Sequence, residues 1–189
     1  MGFISESPLE IVASKVTGCF ESTTLGQLTE KGADTTLLWN PPFFYQFCPL
    51  VMDSTECSKG YLHLSDKQQE YLRLALIHSV DGTCEDCPFK INLDRANYSI
   101  GVFAHTMLAN CEQTGQLVKN VTGGPAGNSA SYEDLWKFTL VNYNAGPGCL
   151  GNALDATASQ DQDLTWENLS SHLEPACQGA INYVNEVSR

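Results

Sequence analysis

Positive charge is scarce in this sequence. Its 189 residues include 10 lysines and arginines against 22 aspartates and glutamates, so the formal net charge is −12. Nucleic acids and anionic membrane surfaces attract basic proteins, and we therefore expect neither of them to be a partner. The chain also lacks a run of 18 apolar residues, so we expect no membrane-spanning helix.

Signals for export and for phosphate binding are missing as well. Met1–Ser5 carries no basic residue and no long apolar core, so we expect no signal peptide within this chain. The glycine-rich stretch 123–127 has no lysine and no preceding strand, which excludes a phosphate loop. The four histidines show no metal-ligand or nucleophile spacing, and we expect no cofactor and no metal.

Cysteine, in contrast, is abundant. Eight cysteines in 189 residues favour disulfides formed in an oxidising compartment. Eight cysteines allow 105 connectivities, so the full pairing stays open, but local disulfides are expected to close the loop 48–60 through Cys48–Cys57 and the loop 81–88 through Cys84–Cys87. A zinc site or a redox motif at 84–87 is the less favoured alternative, since there is no second C-x-x-C and no surrounding βαβ pattern. Without a leader, such a chain is expected to be a mature form, an excised domain or a fragment of an extracellular or cell-envelope protein.

Length and hydrophobic spacing predict one mainly α domain over 1–189, with five to seven helices and long disulfide-tied loops. For residues 9–24, the pattern is compatible with either a helix or a small β-hairpin. Helices are predicted over 25–38, from Pro42, over 65–80, from Asp94 to Cys111, over 132–141, over 166–173 and from Pro175. Loops are predicted over 48–60, 81–88, 115–130 and 153–163.

Three predicted helices have a defined buried face. For the last helix, from Pro175, it comprises Cys177, Ile181, Val184 and Val187. For the helix capped by Asp94, the stripe comprises Ile100, Phe103, Ala104, Met107, Leu108 and Cys111. For the helix after Ser65, which begins with a capping box to Gln68, it comprises Tyr71, Leu72, Ala75 and Leu76.

The stretch 141–149 interrupts a predicted helix abruptly. Gly146, Pro147 and Gly148 are poor continuations of a helix, so Tyr143 and its neighbouring asparagines are expected at a helix end, beside an approachable backbone. Taken alone, such a stretch is most often a simple helix cap followed by a turn.

The order of motifs resembles the lytic transglycosylase and goose-type lysozyme family. The residues that carry the resemblance are the Y-N-A-G-P-G of Tyr143–Gly148, Thr24-Leu25-Gly26-Gln27, the helix start at Asp94 and the closing pair Tyr183-Val184. This chain departs from the family pattern at Thr24, at Asn97 and at Gln178-Gly179. The resemblance implies a lysozyme-like fold, an insertion at about 39–90 and an N-terminally shortened chain.

The resemblance also implies a reaction and its residues. A single glutamate, Glu6 or alternatively Glu21, would protonate the β-1,4 bond between N-acetylmuramic acid and N-acetylglucosamine and then act as base. Tyr143 would hold that glutamate, whereas Gln27, Asn144 and Ala145 would contact the sugar. The implied partner is peptidoglycan or a related N-acetylated glycan, bound by a monomer.

Several alternatives stay open. Glu6 or Glu21 is equally well explained as a solvated charge, and Tyr143 as a core residue. The aromatic residues of 39–47 are more often core than a platform for sugar rings. The chain is also compatible with a non-catalytic wall-binding or structural domain, or with a disulfide-rich secreted protein unrelated to sugars.

Overall fold

The structure, a computed structural model, describes residues 28–188. Within that range it is mainly helical, which confirms the predicted fold class. The helices are α1 (Glu30–Trp39), α2 (Pro41–Val51), α3 (Ser54–Cys57), α4 (Asp66–Ser79), α5 (Leu93–Thr122), α6 (Ala126–Ser129), α7 (Tyr132–Ala145), α8 (Pro147–Ser159), α9 (Trp166–Ser171) and α10 (Gly179–Val187). Between Leu28 and Ser188, β pairing is limited to an isolated bridge from Thr83 to Ile91. The helix or hairpin predicted over 9–24 lies outside the described residues.

Side-chain caps begin several helices where the sequence predicted them. Ser65 and Gln68 form the predicted capping box at the start of α4. Ser131 accepts a hydrogen bond from the Asp134 backbone N–H at the start of α7. α2 begins one residue before its predicted start at Pro42, because Asn40 caps it and Pro41 takes the first helical position, where the absence of an N–H has no cost.

The long helix α5 corrects three predictions. Its cap is Asn92, whose side chain accepts from the Arg95 N–H, rather than Asp94. It continues past Cys111 because Gly115 interrupts a helix only weakly, by about 1 kcal/mol. It ends at Gly123, which has φ +73, and the stretch 115–130 is therefore largely helical instead of a loop.

The buried face of α5 is displaced from the predicted one. Of the predicted stripe, Met107 is buried, while Leu108 is 58% exposed and Ile100 38% exposed. The face that packs inward also carries polar residues, which are Ser99, Thr106, Asn110 and Thr114. The spacing of apolar residues does not indicate this face, since four of its nine buried residues are polar.

Two buried hydrophobic clusters lie along α5. The first includes Phe44, Leu72 and Leu76 from α2 and α4, together with Val102 from the first half of α5. The second includes residues from the second half of α5 and from α7 to α10, among them Val118, Phe138, Leu154, Leu169 and Val184. α5 therefore contributes to both cores.

The predicted faces of the shorter helices are partly correct. In α4, Leu72 and Leu76 are buried, but Tyr71 is 54% exposed. In the last segment, Cys177 and Val184 are buried, whereas Val187 is 45% exposed. The helix predicted from Pro175 is divided into a 3-10 turn, Pro175–Cys177, and α10.

The stretch 153–163, predicted as a loop, is mostly helix. α8 runs from Pro147 to Ser159 and buries Leu150, Ala153, Leu154 and Thr157 on one side. Its polar residues Asn152, Asp155 and Ser159 are exposed. The polar composition of the stretch therefore suggested a loop, although the buried positions follow helical spacing.

Three disulfides connect the described residues. Cys48–Cys57 and Cys84–Cys87 are the local pairs that the sequence predicted. Cys149–Cys177 joins the start of α8 to the turn before α10 across 28 residues. Among residues 28–188, no helix is both long enough and apolar enough to cross a membrane.

Candidate functional site

The candidate site is centred on the junction between α7 and α8. α7 ends at Ala145, so Asn142 and Tyr143 belong to its last turn rather than following its end. Gly146 has φ +90 and ψ 166, a conformation almost restricted to glycine, and Pro147 starts α8 at once. The break expected at Gly146 is present, and the helix before it extends four residues beyond its predicted end at Val141.

Tyr143 packs between two aromatic rings. The Phe103 ring of α5 meets it edge-on at a centroid distance of 5.8 Å. The Tyr183 ring of α10 lies against it at 6.2 Å with an interplanar angle of 29°. Tyr143 is thus held by three helices, and its ring has few alternative orientations.

Burial also changes the chemistry of the Tyr143 hydroxyl. Desolvation raises the pKa of Tyr143 above its ordinary value, because a buried phenolate would lose hydration. The hydroxyl therefore keeps its proton at neutral pH and can act as a hydrogen-bond donor. No hydrogen bond joins it to another residue of the described part of the chain.

A small cavity adjoins Tyr143. Its volume is about 10 Å³, enough for a single water molecule and far too little for a sugar ring. Its walls are formed by Leu28, Val80, Ser99, Val102, Phe103, Thr106 and Tyr143. Leu28 is the first described residue and directly follows Gln27 in the sequence.

The residues next to Tyr143 differ in their surroundings. Asn142 is 2% exposed, and its Nδ2 donates to the Asn110 carbonyl at 3.3 Å and to Gln113 Oε1 at 3.0 Å. Asn144, predicted to contact sugar, is exposed, and Ala145 is half-buried. Asn142 is therefore a packing residue, whereas Asn144 and Ala145 remain accessible at the helix end.

The remaining predicted site residues cannot be placed against Tyr143. Glu6, Glu21 and Gln27 lie outside the described residues. Within 28–188 no cluster of three or more histidine, cysteine, aspartate or glutamate side chains is arranged to hold a metal ion. The C-x-x-C cysteines 84 and 87 are bonded to each other.

The aromatic stretch 39–47 is divided between core and surface. Phe43 and Phe44 are 5% and 1% exposed and belong to the first core, whereas Tyr45 is 52% exposed. Tyr45 lines an open groove of about 260 Å³ together with Lys59, Leu62 and His63. Successive positions of a helix face different directions, which explains why adjacent aromatic residues separate in this way.

A polar cluster beside that groove was not found from the sequence. The Tyr61 hydroxyl donates to Asp34 Oδ1, and Arg73 Nη1 donates to Asp34 Oδ2 at 2.7 Å. Burial raises the pKa of Tyr61, and the carboxylate of Asp34 raises it further. The three residues lie up to 39 positions apart on three elements, so no local motif could have indicated the cluster.

Comparison of the chain with protein-family models, with curated proteins and with solved structures gives no match. The features of the site therefore come from the geometry of this chain alone. Its principal features are a desolvated tyrosine at a glycine-proline helix break and a small cavity shared with Leu28.

Proposed function

We propose that this chain is a glycosidase that cleaves peptidoglycan, either as a lytic transglycosylase or as a muramidase. Glu6 or Glu21 would serve as the general acid and then as the base. Tyr143 would orient that glutamate, and Gln27, Asn144 and Ala145 would contact the N-acetylated glycan. The motif order 24–27, 94–101 and 143–148 is the basis of this assignment.

One structural observation supports it most directly. Tyr143 and Leu28 line the same cavity, and Leu28 follows Gln27 in the sequence. The segment to which both candidate acids belong therefore joins the described chain beside the tyrosine that would hold the acid. Since these residues are more than 100 positions apart in sequence, this proximity is a property of the fold.

The surroundings of Tyr143 suit the reaction. A general acid must carry its proton at the working pH, and an apolar environment raises the pKa of a carboxyl group. Phe103, Tyr183 and Val102 provide such an environment around Tyr143. The tyrosine hydroxyl, itself protonated at neutral pH, would donate to the glutamate when the glutamate returns to its base form.

The remaining properties of the chain are compatible with the cell exterior. Three disulfides require an oxidising environment to form and persist. We propose an extracellular or cell-envelope location and a monomeric enzyme that acts on an insoluble substrate without a cofactor.

The direct test is release of soluble fragments from insoluble peptidoglycan. Wild-type protein is expected to release muropeptides, which mass spectrometry would resolve into 1,6-anhydro or reducing-end products. Either Glu6→Gln or Glu21→Gln should abolish release, and Tyr143→Phe should reduce it at least 10-fold, since general acid catalysis contributes about 10²–10⁴. Tyr132→Phe, 86% exposed on the same helix, is the matched control and should retain full activity.

A non-catalytic glycan-binding domain is the second candidate. The observation that favours it over the enzyme is the size of the cavity at Tyr143, about 10 Å³, because a sugar ring would have to bind outside this cavity, at the accessible Asn144 and Ala145. Sedimentation with insoluble peptidoglycan distinguishes the two. Binding without any release, equal in Glu6→Gln, Glu21→Gln and wild type, would exclude the enzyme and support the binding domain.

A further inference from the structure

The outer side of α5 carries an apolar stripe. Ile100 is 38% exposed and Leu108 58% exposed, and Ala104 and Cys111 are exposed between and beyond them. Their spacing of four, four and three residues places them on one face of the helix. This stripe is separate from the inward face, on which Val102, Thr106 and Asn110 are buried, so the helix is apolar on a side that the described residues leave open.

The cysteines identify one segment that can cover it. The sequence has eight cysteines, and the three disulfides of the described residues use six of them. Cys111 has no disulfide partner among the described residues. The eighth cysteine is Cys19, in the segment 1–27 that precedes Leu28.

The length of chain permits this contact. Leu28 shares a cavity with Phe103 and Thr106 of α5. Cys111 is eight residues beyond Phe103, which corresponds to about 12 Å along the helix axis. Cys19 precedes Leu28 by nine residues, and nine residues span up to about 30 Å when extended. The nine-residue separation of Cys19 and Leu28 is therefore long enough to bring Cys19 along and around α5 to Cys111.

The composition of the segment also suits an apolar surface. Its charged residues are Glu6, Glu10, Lys15 and Glu21. Apolar residues recur through it at Leu9, Val12, Val16 and Phe20. A segment of this kind gains free energy when its apolar side chains leave water against a surface such as the stripe.

We propose that residues 1–27 dock on the apolar stripe of α5 and that Cys19 and Cys111 form a fourth disulfide. The two thiols lose two protons and two electrons, and the electrons reduce a disulfide oxidant such as oxidised glutathione to two thiols. This proposal does not depend on the proposed function. It would also tie Glu21, two residues from Cys19, to the helix that carries Phe103.

The disulfide is tested by alkylating the urea-denatured protein without reductant and mapping its peptides. All eight cysteines are expected to be protected, and a peptide containing Cys19 should be linked to one containing Cys111. The other three pairs are internal controls for an oxidised sample. Alkylated Cys19 and Cys111 beside three intact pairs would overturn the proposal, as would a Cys111–Cys111 link between two copies.

Docking is tested separately in a Cys19→Ser/Cys111→Ser background. In the segment, Lys15 is the single trypsin site, so its cleavage rate in the folded protein reports on exposure. Leu108→Glu should accelerate this cleavage at least several-fold. Leu62→Glu, at a leucine that is 69% exposed and outside α5, should leave it unchanged. Equal rates in the two variants would contradict docking on the stripe.

Discussion

Thr36 and Thr106 share a buried hydrogen bond of 2.8 Å between their hydroxyls, across the α1–α5 contact. Each hydroxyl also lies within hydrogen-bond distance of a carbonyl in its own helix, Thr36 of the Gly32 carbonyl at 2.7 Å and Thr106 of the Val102 carbonyl at 2.9 Å. A hydroxyl has one proton, so the two protons can fill only two of these three contacts at a time. The two side chains are therefore coupled, and neither can be replaced independently of the other.

Valine at either position tests this coupling. Thr36→Val and Thr106→Val should each destabilise the protein by about 1 kcal/mol, the usual net value of a hydrogen bond. The loss in unfolding free energy of the double variant should be about 0.5 kcal/mol smaller than the sum of the two single losses. The reason is that the second substitution removes a hydroxyl that has already lost its partner. Urea unfolding of the four proteins gives these free energies.

Thr157 provides the control for that cycle. It is fully buried, and its hydroxyl donates to the Ala153 carbonyl within α8 at 2.7 Å. Thr157→Val combined with Thr106→Val should therefore be additive. A Thr36/Thr106 pair that is equally additive would show that the hydroxyl contact is energetically negligible.

Alkaline pH should destabilise the protein through Tyr61. The folded structure raises the pKa of Tyr61, mainly by burial and then by its bond to Asp34, so the folded state prefers the protonated phenol. A raised folded-state pKa contributes stability that is complete below the unfolded pKa, about 10, and is lost as pH rises above it. Urea midpoints measured between pH 8 and pH 11 should fall steeply near the upper end.

Two variants identify the residue responsible. Tyr61→Phe should lower stability by about 1 kcal/mol at pH 8, since one hydrogen bond is lost, but should then decline more gently with pH. Tyr132→Phe, in which an 86% exposed ring is changed, should follow the wild-type curve. A Tyr61→Phe curve parallel to that of the wild type would assign the alkaline transition to other groups.

The two glycines of the α7–α8 junction should respond in opposite directions to alanine. An added Cβ has nothing within 4 Å at Gly146 or at Gly148, so space does not distinguish them. Gly146 has φ +90, and alanine there should cost about 1–3 kcal/mol. Gly148 lies inside α8, where alanine should gain about 0.5 kcal/mol. Thermal unfolding of both variants measures this contrast, and a stable Gly146→Ala would mean that the junction can adopt another conformation.

The three disulfides within residues 28–188 should contribute to stability in the order of their loop lengths. Their separations are 28, 9 and 3 residues for Cys149–Cys177, Cys48–Cys57 and Cys84–Cys87. Loop-closure entropy then predicts that changing each pair to serine, in that order, lowers the free energy of unfolding by about 3.6, 2.6 and 1.6 kcal/mol. Urea midpoints without reductant test the order, and a larger loss at 84–87 than at 149–177 would contradict it.

Local sequence signals located helix starts better than helix ends or faces. Ser65 and Ser131 mark starts because a cap requires residues only a few positions apart. The extent of α5 was underestimated, since Gly115 weakens a helix that packing on both cores maintains. Helical propensity is too weak to decide such a case without those contacts.

In the candidate site, too, the sequence indicated local features and did not indicate tertiary contacts. The sequence indicated Tyr143 and a break at Gly146, since glycine and proline at a helix end have a local effect. It did not indicate that Tyr143 would lie between Phe103 and Tyr183, or that Leu28 would share its cavity. Those contacts join residues 40 to 115 positions apart.

By itself, then, the sequence determined the mainly helical class, the helix starts after Ser65 and Ser131, and the break at Gly146. It also indicated the local disulfides 48–57 and 84–87, without fixing the full pairing. Each of these depends on interactions among near neighbours. Tertiary structure alone decided which side of α5 is buried. Thr106 can lie inside because Thr36, 70 residues earlier, supplies a hydroxyl partner there. Leu108 is left outside because the inner face is already occupied, and no local property of a leucine reveals that.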